Sequence, residues 1–185
     1  MRMNNQVVSL NVLQCIDGVM KSVCMKEEIR KVHDGINMSY NFIGKYIGFD
    51  EGRLKIAYGE LAFFCSFETY VQTLTMHELG HAIDLPALEE SLARTMEIFT
   101  MKKSFTMEEI YQSPDLLEML IEEDEMNLVF EVTAWKNAYK LNERYQMVNL
   151  MDFHSIKNTS LATYNKLSQN HLQVYRQLIN ENSLN

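Results

Sequence analysis

Proline is almost absent from this chain, with Pro86 and Pro114 the only two in 185 residues. Glycine is scarce beyond the first third: six of the seven lie at or before Gly59, and only Gly80 follows. Chain breakers are therefore concentrated early, which predicts turns and strands there and long helices afterwards. Cysteine is limited to Cys15, Cys24 and Cys65. An odd count with no C-x-x-C pair is neither a disulfide framework nor a zinc ribbon, and reduced cytosol is the expected compartment, so the protein is expected to be cytoplasmic. Basic runs are missing. The net charge of −8 repels phosphate backbones, so no nucleic-acid partner is expected. Long apolar runs are missing as well. None reaches the roughly 18–20 residues that span a bilayer, so no membrane role is expected. Asn4, Asn5, Gln6, Asn11 and Asp17 interrupt residues 1–20, which excludes a leader-like apolar stretch there.

What is present is ordinary for a globular chain, with 46% apolar and 23% charged residues. The length suits a single domain over residues 1–185 with a real core. Nothing in the pattern sets an oligomeric state. Thirteen methionines are numerous for this length and read as flexible core filling.

Residues 25–34 (MKEEIRKVHD) read as a short helix closed by Gly35. Residues 40–47 are ambiguous, with a strand among the readings. Residues 54–58 (LKIAY) alternate and read as a half-buried strand, joined through Gly59-Glu60 to 61–65 in a hairpin. From Phe67 the period becomes helical and continues to about 84, where Pro86 stops it. Residues 87–102 are also helical in pattern. Thr106-x-x-Glu109 is a capping box, and Ser113-Pro114 sets a cap before a first-turn proline. Long helices are expected over about 123–141 and 159–180. The expected class is α+β: mostly helical, with a small sheet or hairpin from the N-terminal half packed on the helix at 68–84.

That helix carries His77-Glu78-Leu79-Gly80-His81, an H-E-x-x-H motif. Histidines four apart project from one helical face, so two imidazoles can reach one metal ion. Glu78 is turned by about 100° from His77, which makes it a poor third ligand and places it beside an open coordination position. Gly80 costs roughly 1 kcal/mol of helix propensity against alanine, and a glycine there admits a second backbone close to the helix. The same spacing also fits two exposed histidines or a purely structural zinc site.

The segment from His77 to Asp84 (HELGHAID) resembles the metal helix of the zincin metallopeptidases. Within them it is similar to the ImmA/IrrE-type and anthrax lethal-factor-like peptidases. The metzincin extension is not matched, since Asp84 and Ala87 occupy its glycine and histidine positions. A glutamate from a later helix, the gluzincin arrangement, remains. Most later glutamates sit in acidic company and read as solvated faces. Glu131 lies instead within LVFEVTAW, where an ionised carboxylate is costly unless paired or bound to metal. Glu131-x-x-Ala134 also looks like the second zincin helix, with Ala134 and Ala138 small enough for close packing. The resemblance implies Zn2+ held by His77, His81 and Glu131, with Glu78 as general base. Thermolysin-type enzymes carry an orienting Asp where this chain has Trp135, so Asp84 is a candidate for that task. Tyr139, Tyr145 and His154 are candidates for stabilising the oxyanion. One strand, 54–58 or 61–65, is expected to hold an extended substrate at its edge.

The implied function is hydrolysis of peptide bonds in a protein or peptide substrate. The ImmA/IrrE likeness implies a regulator protein as target, such as a phage-type repressor. The alternative is a metal-binding regulatory or interaction module that keeps the fold without cleaving.

Overall fold

The computed structural model describes residues 10–63 and 65–182. It opens on α1 (Val12–Ser22), whose N-cap Asn11 accepts from the Gln14 amide. Three short strands follow: β1 (Glu28–Lys31), β2 (Met38–Asn41) and β3 (Tyr46–Phe49). The remainder is helical: α2 (Glu51–Gly59), α3 (Phe67–Ile83), α4 (Leu85–Ser104), α5 (Met107–Gln112), α6 (Pro114–Tyr145) and α7 (Leu150–Asn182). The sheet order is β1-β3-β2, with β1 parallel and β2 antiparallel to β3. Among the described residues no helix is long and apolar enough to cross a membrane.

Residues 25–34 are not helical as their composition predicts. Cys24 turns the chain out of α1 with φ 58°, and Glu28 to Lys31 then pair with Tyr46 to Phe49. Helix propensity here amounts to a few tenths of a kcal/mol per residue, and pairing with a distant strand overrides it. The ambiguous 40–47 stretch holds the end of β2, a turn and the start of β3. In that turn Asn41 Oδ1 accepts from the Gly44 amide at 2.7 Å.

Residues 54–58 are helical rather than extended. Asp50 caps α2 by accepting from the Arg53 amide at 3.0 Å. Leu54 is buried, Ala57 and Tyr58 pack on the same core, and Ile56 is 56% exposed. Positions 54, 57 and 58 are a helical face, whereas a strand would have buried 56 with 54 and 58. No strand occurs among the described residues of 61–65. Tyr58 Oη instead donates to the Cys65 carbonyl at 2.7 Å.

Glu51 ties α2 to the sheet, accepting from Lys31 Nζ and Lys55 Nζ at 2.8 Å each. Both lysines hold its carboxyl down at about 2. A carboxyl lowered on folding stabilises above its unfolded pKa and loses that contribution as pH falls towards the folded value. These are solvent-screened surface pairs, so Glu51→Gln should cost on the order of 1 kcal/mol at pH 7. In urea titrations at stepped pH, the gap from wild type should narrow as pH drops below about 4.5, the carboxyl's ordinary value.

Helix α3 begins at Ser66, which accepts from the Thr69 amide, and is buried on every side from Tyr70 to Gly80, apart from Gln72. Such a helix must satisfy its own polar groups. Thr73 and Thr75 do so by donating to the Thr69 and Val71 carbonyls at 2.8 Å. The cap and capping box around 106 and 113 form as predicted, and the start at Pro114 runs without a break into the expected 123–141 helix. Gln146 ends α6 in a left-handed conformation with φ 51°.

Two apolar cores share these long helices. One gathers α1, the sheet and α3 around Trp135 and Phe153. The other joins α4 and α5 to the first turns of α6 and the last turns of α7. Within the second region His171 bridges Asp124 at 2.6 Å and Tyr111 at 3.2 Å, so that buried imidazole has both nitrogens partnered.

Candidate metal centre

The side chains of His77, His81 and Glu131 meet where the middles of α6 and α7 cross the C-terminal half of α3. His77 Nε2 lies 3.1 Å from Glu131 Oε2, and His81 Nε2 lies 3.3 Å from Glu131 Oε1. The two imidazoles stand edge to face with centroids 4.7 Å apart. His77 and Glu131 are buried and His81 is half-buried, and the three together could hold a metal ion. The three residues singled out in the sequence are thus brought together.

Helix α6 reaches this position because α3 lets it. A Cβ on Gly80 would stand 2.2 Å from the Ala134 carbonyl oxygen, so the bare Gly80 backbone permits the contact. Asn137 Nδ2 fastens the crossing by donating to the Gly80 carbonyl at 3.1 Å. Glu131 precedes Ala134 by three residues and so faces the same neighbour.

The electrostatics separate two roles for two glutamates. Burial raises the Glu131 carboxyl, but hydrogen bonds and charge from His77 and His81 outweigh it and hold it at about 2. Burial dominates at Glu78 and pushes its carboxyl up despite the neighbouring histidines. A carboxylate poised in this way accepts a proton readily. His81 is lowered by burial, but its hydrogen bond to Glu131 and the surrounding negative charge raise it overall.

These groups open into a cleft of about 370 Å3 whose walls come from β2, α3, α6 and α7. Strand β2 is an edge of the sheet. The Asp50 amide donates to the Asn37 carbonyl at 3.1 Å, which fixes the hydrogen-bonded pairs at Ser39 with Gly48 and Asn41 with Tyr46. The main-chain groups of Met38 and Tyr40 therefore point away from β3, along the cleft. The Tyr40 amide is directed at Glu78. The edge strand beside the metal centre is β2, in place of the predicted 54–58 or 61–65.

None of Tyr139, Tyr145 and His154 lines this cleft. Tyr139 packs among Phe153 and His154 in the first core. The aromatic hydroxyl hydrogen-bonded to Glu131 is that of Tyr164 of α7, a residue not among the sequence candidates. Burial, the charge of Glu131, hydrogen bonding to it, and the charge of Glu78 all raise its phenol, so it stays a protonated donor. A signal was present: Ser160, Tyr164, Ser168 and His171 recur at helical spacing on one face of α7.

Asp84 does not orient the histidines. It sits between α3 and α4, and no hydrogen bond joins it to either imidazole; only its charge reaches His81. His77 is set instead by Trp135, stacked on it at 4.3 Å and 22° between planes. Its Nδ1 is buried without a partner. No protein-family model, curated protein or solved structure matches the chain.

Proposed function

We propose that the protein is a zinc-dependent peptidase of zincin type, working on a protein or peptide substrate in the cytosol. The convergence of His77, His81 and Glu131 on one point beside Glu78 carries this reading. Three ligands about 2.0–2.1 Å from a tetrahedral zinc ion stand about 3.3 Å apart. The observed 3.1 and 3.3 Å run one to each oxygen of Glu131, and one donor atom from each of the three residues lies within 4.8 Å of the others, close enough to share a cation. The donor set of two imidazoles and one carboxylate is that of hydrolytic zinc sites, and all three residues line the cleft. The buried Glu131 carboxylate, whose Oε2 stands 3.1 Å from His77 Nε2 without forming a well-aligned hydrogen bond, is the kind of group that a cation completes.

Zinc bound there supplies Lewis acidity. Glu78 takes a proton from the water that attacks the peptide carbonyl. As the carbon–nitrogen bond breaks, Glu78 delivers that proton to the leaving amine. Tyr164 donates its hydroxyl proton in a hydrogen bond to the carbonyl oxygen as charge builds on it. The outward-facing main-chain carbonyls of Met38 and Tyr40 accept from the extended substrate by strand addition. The Met38 amide itself donates to Asn37 Oδ1 at 2.8 Å and has to be released to take part. A regulator protein fits this scheme, because a mobile segment of one can enter as a strand.

The test is metal analysis of the purified protein, followed by digestion of a peptide library with and without a chelator. One zinc per chain, cleavage lost on chelation and cleavage restored by zinc are expected. Zinc bound without cleavage of any library member points to the binding-module alternative. Glu131→Ala should weaken zinc binding at least a hundredfold, whereas Glu125→Ala on the same helix should leave it unchanged. Trp135 is the single tryptophan and stacks on His77, so its emission reports the titration.

A further inference from the structure

The metal cleft continues past Tyr164. Asn37, Leu74, Ser160 and Tyr164 line both the cleft and a second cavity of about 320 Å3 between α2, α3 and α7. The floor of this cavity is largely apolar. Tyr70, Leu74 and Ile156 are buried there, with Ala57 and Leu61 half-buried beside them. Tyr70 Oη, a polar atom on that floor, already accepts from Asn37 Nδ2 at 3.3 Å, and Ser160 and Tyr164 bring hydroxyls on the side shared with the metal cleft. The rim is polar: Thr159 and Thr163 are exposed, and Arg53 faces Glu60 at 3.5 Å. The rim thus carries both charge signs as a pair, and neither is offered alone to an incoming group.

The sheet directs side chains to this place. Met38 lies on the face of β2 turned to α3, where its sulfur accepts from Thr75 Oγ1 at 3.8 Å. A strand added along the free edge of β2 would send alternate side chains to that same face. They would pass Leu74, which stands one helical turn before His77, and meet the apolar floor.

We propose, resting on the peptidase reading, that this cavity selects substrates. It accepts one apolar side chain of about leucine size, from the residue adjoining the cleaved bond. Leu74 forms the wall shared with the metal cleft, and Ala57 and Thr163 set the width of the opening from opposite sides.

The experiment uses the zinc-loaded full chain and amino-acid hydroxamates that differ only in the side chain beside the zinc-gripping group. Affinity is then read without hydrolysis, by calorimetry. The isobutyl compound should bind at least tenfold tighter than the methyl one. Ala57→Trp and Thr163→Trp, which fill the cavity from different helices, should each cut that ratio below threefold. Zinc content should match wild type, and the methyl compound, too short to fill the cavity, should lose less affinity than the isobutyl one. Equal affinity for isobutyl and methyl in the wild type overturns the proposal. So does a preference for carboxyethyl or aminobutyl, which would assign recognition to Arg53 or Glu60, and so does an isobutyl preference that survives both variants. Zinc bound with no affinity for any hydroxamate is a different failure: it removes the peptidase reading, and the pocket assignment falls with it.

Discussion

Glu78→Gln should abolish peptide hydrolysis while leaving the metal in place. The substitution keeps the volume and one carbonyl acceptor but removes the group that accepts the proton. General-base catalysis contributes about 10^2–10^4-fold, so kcat/KM should fall by about 10^3-fold. Glu78 is not among the three ligands, so zinc stoichiometry should match that of wild type. Stability should hold or rise, because burial already opposes the carboxylate and a neutral amide avoids part of that cost. Glu131→Ala should give the opposite profile, losing metal and activity together. Activity equal to wild type in the Gln variant, measured on the same peptide with metal content matched, removes Glu78 from the mechanism.

The parts of this site that were legible in the sequence are those set by local spacing. H-E-x-x-H lies within one helix, so its geometry follows from 3.6 residues per turn. Glu131 was found because a charge inside LVFEVTAW needs a partner, a constraint that holds wherever the partner sits. The caps at Thr106 and Ser113 are likewise short-range. What was missed depends on contacts between distant segments. The sheet that carries β2 as its edge depends on Glu28–Lys31 pairing with residues 18 positions later, against the helical composition of that segment. Residues 54–58 satisfy two periods at once, and only the core that receives Leu54, Ala57 and Tyr58 selects the helical one. Tyr164 lies 33 residues beyond Glu131, and no short spacing links it to the motif. Trp135 occupies the position where a carboxylate was sought, and an aromatic face gives no sequence signal of orienting an imidazole.

Gly80→Ala is the substitution at which two magnitudes compete. Alanine in place of a helical glycine gains roughly 1 kcal/mol of propensity. The added Cβ would meet the Ala134 carbonyl oxygen at 2.2 Å, its carbon at 2.9 Å and its Cα at 3.1 Å. All three atoms are backbone, so no side-chain rotation relieves the clash and α6 as a whole must withdraw by about an ångström. Overpacking of this kind typically costs 1–3 kcal/mol and more where the obstacle is rigid, which exceeds the propensity gain. A net loss of at least about 2 kcal/mol is expected in urea unfolding. The displacement has a second consequence, because the helix that retreats carries Glu131. Metal affinity should fall at least tenfold even in the fraction that remains folded. Gly18→Ala in α1 is the matched control: nothing lies within 4 Å of its added Cβ, so the propensity gain should appear as a stabilisation of about 1 kcal/mol with metal binding unchanged. If Gly80→Ala instead behaves like Gly18→Ala, α3 and α6 are not in backbone contact, and the third ligand is not delivered to the histidines by that crossing.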